Sequence, residues 1–203
     1  MEKVLKRVLL CAVLAAGIWG WSVVRDQQKL ESTLIRLHVV ANSDSLEDQA
    51  IKLRVRDAVL LSLQQAMAQV ADRQEAYAYL EENLQKLQHT ANEALKALGC
   101  QDHAVATLCR EAFDTRVYDT FTLPAGIYDA LRITIGEGEG RNWWCVAYPA
   151  LCLPEVSREV EAVAVDAGLS GSLTGAITGE KPYTLRFFVL DLLGSLRGAL
   201  WRP

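Results

Sequence analysis

The segment Leu34-Ile35-Arg36-Leu37-His38-Val39-Val40-Ala41, followed at once by Asn42-Ser43-Asp44-Ser45, decides the architecture of the chain. Its apolar and β-branched residues predict a strand, and the small polar residues that close it predict a turn. Ser45 stands where a helix N-cap belongs, with Glu47 and Asp48 in the first turn, where the helix dipole favours carboxylates. A helix is expected from there to about Ala71. Its apolar residues form two sets, Leu46, Ala50, Leu53, Leu60, Leu63, Met67 and Val70, then Val55, Ala58 and Val59, which predicts cover on more than one side.

Working outward toward the C-terminus, Asp72-Arg73-Gln74-Glu75 reads as an acidic cap with glutamate three residues on. Ala76, Leu80, Leu84, Leu87, Ala91, Leu95 and Leu98 then recur at helical spacing until Gly99 supplies a stop. The two helices predict an αα unit packed on a sheet. From Ala104 the period becomes two, and Val105 to Glu111 reads as a strand. Tyr118 to Leu123 and Ile127 to Ile135 flank Leu123-Pro124-Ala125-Gly126, a type I turn pattern, and predict a hairpin. In its second strand Leu131, Ile133 and Ile135 share one face, with Tyr128, Ala130, Arg132 and Thr134 on the other.

Gly136-Glu137-Gly138-Glu139-Gly140-Arg141-Asn142 reads as the most flexible stretch, ahead of a strand from Trp143 to Tyr148 that Pro149 ends. Glu155 to Ala167 predicts a helix closed by Gly168, and residues 168–181, small and polar, a linker or mobile loop. Leu185, Phe188, Val189, Leu192, Leu193, Leu196 and Leu200 predict a C-terminal amphipathic helix packed on the sheet. The fold class is therefore α+β: a largely antiparallel sheet against an αα unit and a C-terminal helix. Three regions are expected: 1–25, a signal peptide or signal anchor; 33–153, the core domain; and 154–203, a C-terminal extension packed on the core.

The N-terminal region stands apart. Lys3, Lys6 and Arg7 precede Val8 to Val24, which carries no charge, and this predicts an export segment with everything beyond Arg25 outside the cytoplasm. The run is at the short edge of a membrane span, so membrane contact is expected through residues 8–24. Gly20-Trp21-Ser22 and Ala15-Ala16-Gly17 are both mediocre cleavage sites, and Leu10 before Cys11 argues against a lipoprotein.

The chain has 203 residues, 51% hydrophobic and 23% charged, which excludes a disordered chain. Lys and Arg number 21 against 25 Asp and Glu, a formal net charge of −4. The exported part is more acidic still, because Lys3, Lys6 and Arg7 leave with only Glu2. No basic run suits nucleic acid, and no nucleic-acid partner is expected. Cys100, Cys109, Cys145 and Cys152 lie in the exported part, where disulfides persist, and the sequence leaves their pairing open. A chain reversal at Pro149 would bring Cys145 and Cys152 within range, whereas an extended run would keep them apart. With no paired CxxC and with His38, His89 and His103 scattered, neither a metal site nor another cofactor is expected.

Glu137 and Glu139 invite a carboxylate-pair reading, but hydrolytic carboxylates need a rigid setting and an apolar wall, which glycines do not offer. Cys145 with His38 is the other catalytic pairing, and it lacks a nucleophile turn. No catalytic residue is assigned on these grounds; an exported wall hydrolase using Glu137 and Glu139, or Cys145, is the alternative reading. Trp143 and Trp144, adjacent in a strand, must point to opposite faces, so one can be core while the other faces solvent, a helix or a partner. With Glu137 and Glu139 they form the candidate partner-binding region.

Leu37 to Ser45 with Asp48-Gln49 and Lys52 to Val59, then Tyr118 to Gly126, then Ile135 to Gly140 with Asn142-Trp143-Trp144-Cys145-Val146 and Pro149 to Cys152, together resemble the stage II sporulation protein R family. The resemblance covers roughly residues 33–153. It implies a non-enzymatic signal, exported into the space between forespore and mother cell. There it would activate a membrane-embedded aspartic protease that processes the precursor of sigma factor E. It lends no catalytic residues and no role to residues 168–181.

Overall fold

The computed structural model describes residues 1–67, 69–118, 120–149, 151, 160–169, 171–178 and 185–201. A helix α1, Glu2–Thr33, leads into strand β1, Ile35–Val40, and then into helix α2, Leu46–Met67. Ser45 caps α2 as expected, its Oγ accepting from Asp48 N at 3.0 Å. Val55, Val59, Leu63 and Met67 repeat every fourth residue and are buried, while Leu46, Leu53 and Leu61 are exposed. Cover on more than one side is thus corrected to one buried stripe, as a surface helix requires.

The periodic segment after Asp72 forms two helices, α3, Arg73–Glu82, and α4, Leu84–Ala97. Asp72 accepts from Gln74 N and Glu75 N, and Glu75 reaches back to Ala71 N. The break lies at Asn83, whose backbone N and side-chain Nδ2 both donate to Tyr79 O. That local bond competes with helix continuation, which apolar spacing does not reveal. Gly99, at φ 70°, ends α4 in the left-handed conformation, and Cys100 N donates to Leu95 O.

Strand β2, Ala104–Phe113, is followed by the short pair β3, Arg116–Val117, and β4, Thr122–Leu123, then by β5, Gly126–Ile135, and β6, Asn142–Tyr148. The main sheet has the order β2-β5-β1-β6. β5 pairs antiparallel with β2 and parallel with β1, and β1 pairs antiparallel with β6. The sheet is thus mostly antiparallel. The hairpin expected across Leu123-Pro124-Ala125-Gly126 does not form, because β4 pairs with β3 and β5 instead takes β2 as its partner.

Alternation along the strands sends each residue set to its own core. Ile35, Leu37, Val39, Leu131, Ile133, Ile135, Cys145 and Ala147 face α2, α3 and α4. Tyr128, Ala130, Val146 and Phe113 face a second core, which Val23 and Leu30 of α1 enter. The C-terminal part adds α5, Val160–Asp166, α6, Gly171–Thr178, and α7, Leu185–Trp201. The segment 168–181, read as a linker, thus contains a helix whose Leu173, Thr174 and Ile177 are buried. Residues 155–159 of the helix expected from Glu155 lie outside the described residues. In α7 the buried positions described are Phe187, Leu190, Gly194 and Gly198, and the ridge Phe188, Leu192, Leu196, Leu200 faces outward. The helix is as expected, but its inward face lies one position from much of the stripe read in the sequence.

Over its first two dozen residues α1 is largely exposed, and it is long and apolar enough to cross a membrane, with a mean hydropathy of 1.8 over an 18-residue stretch. Its last third belongs to the domain. Gln27 donates to Ala125 O at 2.9 Å, and Glu31 accepts from Ile127 N and from Arg197 Nη1.

Candidate interaction surface

The turn after β5 is not the flexible loop that its glycines suggest. Gly136 N donates to His103 O at 2.9 Å, Glu137 N to Asn42 Oδ1 at 3.0 Å, Glu139 N to Asn42 O at 3.1 Å and Gly140 N to Ala41 O at 2.9 Å. Arg141 N donates to Asp44 Oδ1 at 2.7 Å. The turn is thus stitched to the polar segment that follows β1. The glycines are there for two physical reasons. Gly136 and Gly138 have φ of 56° and 69°, a region that side chains disfavour, and a Cβ on Gly140 would lie 2.2 Å from Ser43 O. Asn42 and Ser43 are held in turn by Asp48, whose carboxyl the Ser43 hydrogen bond keeps below the usual range. Lys52 is buried behind them, its Nζ donating to Gln49 Oε1 and Arg141 O; burial, then repulsion from Arg141, lowers its pKa.

Glu137 and Glu139 sit exposed on this braced turn. Trp143 and Trp144 point to opposite faces as expected; both are half-buried, and each carries an arginine. Trp143 packs on the α2–α4 core with Arg56 Cζ 5.0 Å from its ring, and Trp144 packs on the other core. The Trp144 ring stacks on His38 with centroids 4.9 Å apart, meets Phe113 edge-on and lies 4.4 Å from Arg116 Cζ.

Beneath this stack Arg36 is buried, a residue that sequence reading gave no weight, and His38, weighed there only as a partner for Cys145, is buried within the stack. Arg36 is fully buried. Its Nε donates to Cys145 O at 3.2 Å, its Nη2 to Tyr118 Oη at 2.9 Å, and its Cζ lies 4.5 Å from the Phe113 ring. Desolvating a cation costs several kcal/mol, which hydrogen bonds to neutral oxygens and aromatic faces here offset. His38 Nε2 lies 2.5 Å from Glu111 Oε1. Burial alone would raise the Glu111 pKa, but His38 and Arg132 together hold it below the ordinary value. The only sequence signal for Arg36 was a charged residue alternating with apolar ones in a strand.

His38 does not meet Cys145. In the β1–β6 register His38 pairs with Trp144 and Cys145 with Leu37, so imidazole and sulfur lie on opposite faces of the sheet. Cys145 is disulfide-bonded, Cys11, Cys100 and Cys109 are free thiols, and Cys152 lies outside the described residues. Burial raises the pKa of both Cys100 and Cys109, which disfavours their thiolates. Among the described residues no group of three His, Cys, Asp or Glu is placed to hold a metal ion.

What this arrangement provides is a braced, charged and aromatic surface on an α+β domain. A family model described as Stage II sporulation protein R matches residues 31–158, and the chain belongs to that family. It is 31% identical over 163 residues to Stage II sporulation protein R of Bacillus subtilis (strain 168), covering 75% of this chain and 73% of that one. No solved structure matches. The family region takes in β1, the braced turn and β6, the elements that build the surface.

Proposed function

We propose that the chain is an exported sporulation signal. It activates a membrane-embedded aspartic protease, which then cleaves the precursor of sigma factor E, from the space between forespore and mother cell. The family match across residues 31–158 carries this reading, and the exposed apolar part of α1 supports export or anchoring. In this reading Glu137 and Glu139, fixed on their turn, steer the encounter, so their loss slows association and alters its salt dependence. Trp143 and Trp144 with their stacked arginines form the apolar and cationic part of the contact, and their loss shortens the life of the complex.

The test is to co-express the chain with the protease and the sigma precursor in a non-sporulating host. Precursor cleavage that requires the chain is the expected result, with Glu137→Gln and Glu139→Gln reducing it while thermal stability is unchanged. Cleavage that is absent, or independent of the chain, would refute the proposal.

A further inference from the structure

The face of the sheet that α1 and α7 cover at one end is open at the other, and a cleft of about 500 Å³ lies there. It is lined by Val40, Asn142 and Trp144, by the turn glycines Gly138 and Gly140, and by Arg116, Arg132 and Arg141. Among the described residues only two carboxylates answer these three cations, and both are shared. Glu111 lies 3.7 Å from Arg132 Nη1 while its other oxygen holds His38, and Asp44 serves both the backbone and the side chain of Arg141. Arg116 has no ion-pair partner among the described residues, and its Nε is buried without a hydrogen bond while the guanidinium rests on Trp144. A buried unsatisfied donor is costly, and a ligand acceptor would relieve it.

We propose that this cleft binds a single carboxylate side chain presented by the partner protein. The proposal rests on the signalling role above and names the chemistry of its contact. A carboxylate matches the planar fork of a guanidinium, and Val40 and the Trp144 ring give the neighbouring apolar stem a wall. The rim argues for a side chain over an extended anionic surface. Glu137 and Glu139 stand exposed beside the cleft and repel a membrane or polymer carrying many charges, whereas one carboxylate entering the cleft passes between them.

The experiment uses the full chain in neutral detergent, titrated by calorimetry with an acetylated, amidated peptide that carries one glutamate among leucines and serines. Its glutamine counterpart, inorganic phosphate and phosphatidylglycerol vesicles are the other probes. The acidic peptide should bind at low salt, about tenfold more tightly than the glutamine peptide, and Arg116→Gln should cost about tenfold. Arg141→Gln, at an exposed position on the rim, repeats the test should Arg116→Gln lower thermal stability. Equal binding of the two peptides, displacement of the acidic peptide by equimolar phosphate, or binding to vesicles alone would overturn the proposal. Co-expression separates the two readings. If the wild-type chain triggers cleavage and both arginine variants, folded, trigger it equally, the cleft proposal falls and the signalling role stands. If the wild-type chain triggers none while the peptide result holds, the signalling role falls alone.

Discussion

Asn42 is the residue on which the braced turn depends. Its side chain accepts from Glu137 N at 3.0 Å and donates to Asp48 Oδ2 at 3.3 Å, so one amide ties two loops that lie 95 positions apart. Asn42→Ala leaves a backbone donor and a carboxylate without their partner and is expected to cost about 1–3 kcal/mol in chemical denaturation. Glu137→Ala removes an exposed side chain whose backbone makes the contact, and should stay within about 0.5 kcal/mol. Glu111 sets the acid limit. Its folded pKa lies below the ordinary 4.5, so its stabilising contribution is fully present above that value and is lost as pH falls through the folded value. Thermal melts should therefore weaken as pH drops below about 4.5, and Glu111→Gln should flatten that acid slope. Caps such as Ser45 and Asp72 were legible in sequence because their bonds reach only three residues. Asn42 read as a plain turn residue, because its partners are distant in the chain.

At the scale of elements, α7 shows how close contact selects a face. A Cβ on Gly194 would lie 1.7 Å from Ala125 O, a backbone atom that cannot move aside, so the helix seats only with glycine there. Gly194→Ala is expected to cost about 1–3 kcal/mol or more by pushing α7 away from β5, and to lower the melting temperature by several degrees. Gly175 in α6 has open space at the same atom, and Gly175→Ala should be neutral or stabilising by up to about 1 kcal/mol. The same contact accounts for the ridge that sequence reading placed inward. Hydropathy makes Phe188 and Leu192 as eligible for burial as Phe187 and Leu190, and the close approach at Gly194 turns the latter pair inward.

For the whole molecule, α1 belongs to two environments. Its exposed apolar part suits a membrane, while Val23, Gln27, Leu30 and Glu31 are built into the second core. A chain beginning at Val23 should melt within a few degrees of the full chain. One beginning at Leu34 loses two buried side chains, each worth about 1.5–3 kcal/mol, together with the Glu31 bonds to Ile127 and Arg197. Against a total stability of about 5–15 kcal/mol that loss is large, and this shorter chain should be unfolded by circular dichroism at 37 °C. Sequence by itself determined what is local or periodic: the uncharged N-terminal run, the capped helices, the alternating faces of β5 and the α+β class. Each follows from hydrogen bonds and side-chain spacing within a few residues. Tertiary structure alone decided the strand order, the bracing of the glycine turn and the separation of His38 from Cys145. It also gathered Arg116, Arg132 and Arg141 into one cleft. Those features depend on which strand lies beside which, and pairing between distant segments is chosen by the burial of the whole core, a quantity that no single stretch of sequence carries.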